Sequence, residues 1–185
     1  MNDRGALRRD ARERRALAAE GESDLAITLL EHFLESVPYR EHLVVAGYWP
    51  VGNEIDDLPI LRKLRSMNKV IALPCVVADD APLVFRAWDD RESVVPGRYG
   101  IPVPPKSAPV LKLTLVVVPL LLFDGIGYRL GSDKGFYDRT LAFLRKTPVV
   151  AVGVAYAAQR VASLAALETD QRLDCVVTEE GAEWF

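Results

Sequence analysis

The sequence holds only two cysteines and two histidines in 185 residues, no large excess of either charge and no long uninterrupted apolar run. Cys75 and Cys175 stand far apart in apolar segments, which predicts two small buried side chains rather than a disulfide or a metal pair. A formal net charge of −3 argues against a general nucleic-acid binder, although local charge in a cleft can still meet an anionic ligand. The longest apolar stretch, Leu113 to Phe123, contains Pro119 and is too short to span a membrane. The charged N-terminus shows no apolar secretion segment, so a cytoplasmic protein is expected, with neither membrane nor nucleic acid among its partners. His32 falls in a helical pattern and His42 near a strand start, and structural or surface positions are expected for both. No Ser-His or Cys-His arrangement for nucleophilic catalysis is visible.

What is present is an ordinary globular composition, 50% apolar and 26% charged, of a length suited to one domain over residues 1–185. The first twenty residues read as a helix with apolar marks at Leu7, Ala11 and Leu17 and arginines at 4, 8, 9, 12, 14 and 15. Composition leaves two readings of it open, a solvated charged face or a basic arm reaching an anion. Ser23 or Asp24 can cap a second helix ending at Ser36, with Leu25, Leu29, His32 and Phe33 at helical spacing. Strands are expected at Leu43 to Trp49, Lys69 to Leu73 (ended by Pro74), Leu111 to Val118, Val149 to Val154 and a last one at Cys175 to Val177. Leu83 to Trp88 alternates, as an edge or antiparallel strand does. Helices are expected at Pro59 to Met67, Gly135 to Arg145 and Gln159 to Ala166, and a proline-punctuated connection from Pro96 to Pro109. Strands that are continuously apolar and alternate with helices predict an α/β fold: three layers, α/β/α, around a mostly parallel central sheet.

The densest chemistry lies between Asp124 and Arg139, which carries four glycines, a lysine, two arginines beyond a strand end, and three aspartates. Glycines let backbone approach a phosphate, cations balance its charge, and a carboxylate suits magnesium. Gly131 and Gly135 bracket the turn, Lys134 adds a point charge, and Asp138 sits near a helix start. Arg129 and Arg139 offer planar donors, one of which could instead anchor the loop to a carboxylate. Asp124 is expected to cap or brace its own loop. The spacing is neither that of the P-loop nor that of the dinucleotide fingerprint. The Trp49 to Glu54 turn follows another strand, so the two loops are expected to face one cleft.

Arg-Leu-Gly-x-x-Lys-Gly-Phe-Tyr-Asp-Arg at 129–139, after Val-Pro-Leu-Leu-Leu-Phe-Asp at 118–124, resembles the 5-formyltetrahydrofolate cyclo-ligase family. Leu7-Arg8, Tyr-Trp-Pro-Val-Gly-Asn-Glu at 48–54, Leu73-Pro74, Phe-Arg-x-Trp at 85–88, Gly-Ile-Pro-x-Pro at 100–104, Gly-Val-Ala-Tyr-x-x-Gln at 153–159, and Asp170 before Leu173-Asp174 extend the likeness over nearly the whole chain. The resemblance implies an enzyme that uses ATP and Mg²⁺ to turn 5-formyltetrahydrofolate into 5,10-methenyltetrahydrofolate, releasing ADP and phosphate. It places ATP against Arg4, Arg8, Arg129, Leu130, Gly131, Ser132, Asp133, Lys134, Gly135, Phe136 and Tyr137, with Lys134 and Arg129 as the catalytic cations. It places the folate against Arg8, Trp49, Glu54, Ser132, Lys134, Gly135 and Phe136, and magnesium at Asp138 and Asp170. The implied partners are these small molecules alone, with the chain acting as a monomer. An aromatic surface suits a pterin ring and a carboxylate suits its donor-rich edge. Tyr99, Phe136 and Tyr156 could serve either the core or that pocket.

Two positions depart from the family pattern. Asp133 stands where glycine is usual, and Arg4 where lysine is usual. An unpaired carboxylate at 133 would repel phosphates, whereas one that points outward, pairs with Arg129 or binds the metal would not. The alternative implied is a folate-binding or regulatory relative whose turnover is weakened or lost.

Overall fold

The computed structural model of the chain describes residues 4–20, 25–132 and 135–185. Helices α1 (Arg4–Ala19) and α2 (Leu25–Ser36) lead into strand β1 (Val44–Ala46), helix α3 (Leu58–Ser66) and strands β2 (Val70–Cys75) and β3 (Val84–Ala87). A small hairpin, β4 (Val95–Pro96) and β5 (Pro102–Val103), precedes β6 (Leu115–Val118), and a second, β7 (Leu122–Phe123) and β8 (Arg129–Leu130), follows it. Helix α4 (Phe136–Leu144) and strands β9 (Val150–Val154), β10 (Cys175–Thr178) and β11 (Gly181–Trp184) complete the chain.

Seven strands form one sheet in the order β11-β10-β9-β6-β1-β2-β3. The five inner strands run parallel and the two edge strands antiparallel. Alternate residues of each inner strand face opposite layers. Val45, Ile71, Leu73, Leu115, Val117, Val152 and Val177 join the apolar faces of α2 and α3. Ala46, Ala72, Val116, Val118, Ala151 and Val176 pack with Phe136, Tyr137 and Leu141 of α4 on the other side. Both faces are therefore dry, which is why the strands read as unbroken apolar runs. The three-layer α/β/α arrangement expected from the sequence is the one observed.

Several local expectations are corrected. Strand β2 does not stop at Pro74 but continues to Cys75; β1 ends opposite Ala72, so Pro74 has only β3 beside it and its missing N–H leaves no gap in a ladder. The Gln159 to Ala166 helix is absent. A 3₁₀ turn at Ala157–Gln159 gives way to extended chain, whose N–H groups at Val161 and Leu164 donate across to Phe123 and Asp124 instead of along a helix axis. Cys175 to Val177 is not the last strand, since β11 pairs back on β10 through the Glu179–Glu180 turn. Leu43 is exposed and lies outside β1, and the 96–109 connection contains one strand of the first hairpin. Ser23 and Asp24, the expected cap of α2, lie outside the described residues.

Candidate active site

From β1 the chain crosses by α3 to β2 on one side, and from β6 it crosses by α4 to β9 on the other. The loops leaving β1 and β6 therefore separate at the carboxyl edge of the sheet, where doubly wound folds open a crevice. The 47–57 loop and the 119–135 loop meet there, as their sequences suggested.

Internal hydrogen bonds hold each loop. Asp124, 1% exposed, accepts from the N–H groups of Ile126 (3.1 Å), Tyr128 (3.0 Å) and Leu164 (2.9 Å), the bracing role expected of it. Gly127 has φ +87° and stands so close to the Leu173 carbonyl that a Cβ would lie 2.8 Å from it. Gln159 is fully buried and donates to the carbonyls of Leu120 and Leu121, fixing the exit of β6. Tyr48 donates its hydroxyl to the Ile55 carbonyl, and its N–H to Asp57. Burial pushes the Asp57 carboxyl well above the usual range, only partly offset by that N–H, and pushes the Tyr48 phenol up as well.

Helix α1 lies across both loops. Ala11 is buried against Leu121, Leu122 and Leu130, which turns one face of the helix toward the crevice. On that face Arg4, Arg8, Arg12 and Arg15 follow one another at i, i+4, i+8 and i+11. Arg4 pairs with Asp170 and donates to the Ala165 carbonyl at 2.9 Å. Arg8 donates to the Gly131 carbonyl at 3.0 Å and Arg12 to that of Ser132 at 3.3 Å. Arg15 donates from Nε to Asn53 Oδ1 at 2.9 Å, and its Nη1 lies 3.5 Å from Glu54 Oε1. One face of the helix is thus an arginine clamp, while Arg9, Asp10, Glu13 and Arg14 form a solvated charged face; Leu17, read as an apolar mark, is 71% exposed.

Two cavities meet at Ser132 in the 119–135 loop. One, of about 450 Å³, is mainly apolar and is bordered by Trp49, Glu54, Tyr99, Phe136, Tyr137 and Arg15. The other, of about 770 Å³, is bordered by Arg4, Arg8, Arg129, Arg139, Asp138 and Asp170. Gly131 and Gly135 line the second cavity, and Ser132 lines both. Gly135, at φ +81°, starts α4 in a left-handed conformation beside that cavity. Leu130 lines neither cavity and packs under Ala11. Tyr137 borders the apolar cavity alone. Asp133 and Lys134 lie outside the described residues. Tyr99 (φ +60°) tilts over Phe136 at 6.4 Å and donates its hydroxyl to Asp79, while Tyr156 is buried away from both cavities.

Arg129, 3% exposed, donates to Asp138 Oδ1 at 2.8 Å, so this arginine is the one that anchors the loop to a carboxylate. Its Nε has no hydrogen-bond partner among the described residues. Burial opposes the charge on Asp170, but hydrogen bonds from Arg4 and from the Leu167 N–H outweigh it and hold the carboxyl below its ordinary value. That contribution is complete above the unfolded aspartate range and is lost as pH falls through the lower folded value. The stability gap between the wild type and Asp170→Asn is therefore expected to be open at neutral pH and to close as pH falls below the ordinary aspartate range in urea titrations. A gap that stays constant over that range contradicts the pairing.

Sequence reasoning missed Arg12, Arg15, Asn53 and Gln159 as parts of the site. The i, i+4, i+8, i+11 spacing was the available signal for the two arginines.

A model of the 5-formyltetrahydrofolate cyclo-ligase family matches residues 1–179. The 5-formyltetrahydrofolate cyclo-ligase of Escherichia coli K12 is 30% identical over 177 residues, covering 92% of this chain and 97% of the relative. That of Haemophilus influenzae is 29% identical over 164 residues, covering 85% and 88%. The solution structure of Aquifex aeolicus 5,10-methenyltetrahydrofolate synthetase superposes with a TM-score of 0.82 at 27% identity, covering 98% of this chain and 92% of that one. The match runs through both loops and the arginine helix, and on it the chain belongs to the 5-formyltetrahydrofolate cyclo-ligase family.

Proposed function

We propose that this chain converts 5-formyltetrahydrofolate to 5,10-methenyltetrahydrofolate with ATP, the folate in the aromatic cavity and the nucleotide phosphates in the arginine-lined one. The observation that carries the reading is Ser132, which borders both cavities, so that reactants held in the two would meet beside it. The formyl oxygen attacks the γ-phosphorus, the bond to the bridging oxygen breaks and ADP leaves. The second folate nitrogen then bonds to the formyl carbon, its proton passes to the departing phosphate, and the C–O bond breaks. A poor leaving group has become a good one, so no protein nucleophile is needed and positioning does most of the work.

Trp49 and Phe136 offer faces to the pterin, and Glu54 takes its donor-rich edge. Arg4, Arg8 and Arg129 balance phosphate charge, and Lys134 is assigned to the same task by its place in the family motif. For magnesium, Asp138 and Asp170 supply two hard oxygen donors on the phosphate-side cavity. Among the described residues no group of three acidic, histidine or cysteine side chains is poised for a metal. Carboxylate oxygens are the donor type that magnesium prefers, so these two residues would hold the ion. The chemistry that a bound ion would supply there is neutralisation of phosphate charge. The proposal extends to one domain over residues 1–185 acting as a cytoplasmic monomer, without nucleic acid or membrane; among the described residues no helix is long and apolar enough to cross a bilayer.

Asp133 favours one second reading, a folate-binding relative with weakened turnover. Purified protein mixed with 5-formyltetrahydrofolate, Mg²⁺ and ATP is expected to form the methenyl product, followed by its absorbance, with one ADP per turnover. Absence of product at high enzyme concentration overturns the reading. A rate restored only by Asp133→Gly identifies the weakened relative instead.

A further inference from the structure

Arg15 is 7% exposed, yet only part of its guanidinium is used. Nε donates to Asn53 and ties α1 to the 47–57 loop. Arg15 borders the apolar cavity; its Nη1 is buried, forms an ion pair with Glu54 Oε1 at 3.5 Å and has no hydrogen-bond partner among the described residues. A buried donor without a hydrogen bond is costly, and on a residue that lines a cavity the cost is relieved when a ligand brings an acceptor within reach.

Resting on the folate reading above, we infer that Arg15 determines specificity for a 4-oxo pterin, donating from Nη1 to the ring oxygen while Glu54 accepts from the adjacent ring N–H and 2-amino group. The two side chains stand next to each other on one wall as a donor and an acceptor. The edge of a 2-amino-4-oxo pyrimidine presents the matching order, an acceptor followed by donors. A 2,4-diamino ring places N–H donors against the guanidinium, so it meets an unpaired donor and a repulsive contact together. The Nε bond to Asn53 and the ion pair with Glu54 both tie Arg15 to the 47–57 loop, and neither gives Nη1 a hydrogen bond.

The test is calorimetric titration, without ATP, of 5-formyltetrahydrofolate and of a 2,4-diaminopteridine folate analogue bearing the same tail. Wild type is expected to prefer the 4-oxo ligand. Arg15→Met should weaken the 4-oxo ligand by about 10- to 100-fold and leave the 4-amino ligand within about threefold. Arg15→Lys, which keeps charge without the planar fork, should show an intermediate preference. Equal losses for both ligands in Arg15→Met, or no loss for either, overturn the inference. Should Arg15→Met fail to fold, an undiminished preference in Arg15→Lys overturns it as well. Wild type that binds neither ligand overturns the folate reading and this inference with it, a result distinct from binding without discrimination.

Discussion

Arg129→Met is expected to lower kcat/KM by about a thousandfold, the scale seen when a preorganised donor is removed from a site of developing charge. The side chain is 1% exposed, held to Asp138 Oδ1 at 2.8 Å, and borders the arginine-lined cavity. Methionine fills a similar volume but leaves Asp138 without its cation and the phosphates with one charge fewer. Because Asp138 retains 20% exposure, water recovers part of the loss. Stability should fall by about 3 kcal/mol, near the lower end for breaking a buried pair, which in a chain of this size lowers Tm by roughly 6–12 °C. Arg129→Lys restores charge without the fork and should fall between the two. Steady-state kinetics with thermal melts check both halves. Wild-type kcat/KM in a folded Arg129→Met protein contradicts the assignment.

Glu54→Ala is expected to raise the folate KM about a hundredfold while leaving the ATP KM unchanged, since a charge-assisted contact to the pterin edge is lost. The asymmetry follows from placement: Glu54 borders the apolar cavity and not the arginine-lined one. Its Oε2 also accepts from the Val51 N–H at 3.0 Å, so alanine loosens the turn as well. A general loosening would raise both KM values; an effect confined to folate identifies the pterin edge. Initial rates with each substrate varied in turn separate the outcomes, and a parallel rise for ATP contradicts the division between the cavities.

The layered fold was legible because its strands carry their own signal. Leu115 to Val118 and Val150 to Val154 are apolar at every position, as only strands buried on both faces are. The two-residue strands β4, β5, β7 and β8 have no room for a period, and β11 follows a turn with no alternation to mark it. The segment after Gln159 is apolar enough for a helix, but its backbone groups find partners on Phe123 and Asp124 instead. Tertiary bonds of this kind leave no trace in a local window.

The site was legible where chemistry is concentrated. Glycines and charges between Asp124 and Arg139 marked one loop of the crevice, and Trp49 with Glu54 marked the loop that meets it. The arginine helix was half legible. Its charge could be counted, but the burial of Ala11, which aims Arg4, Arg8, Arg12 and Arg15 at the loops, exists only once Leu121, Leu122 and Leu130 are in place. Arg15 illustrates the limit, since a nearly buried arginine is rare enough that composition favours the solvated alternative.

The central claim is that the two reactants meet at Ser132, so that the formyl oxygen takes the γ-phosphoryl group. Turnover of 5-formyltetrahydrofolate labelled with ¹⁸O in the formyl group, followed by mass analysis of the released phosphate, tests it most directly. The account predicts one labelled oxygen in each phosphate formed alongside the methenyl product. Product formed with unlabelled phosphate, the label appearing in water, would contradict it.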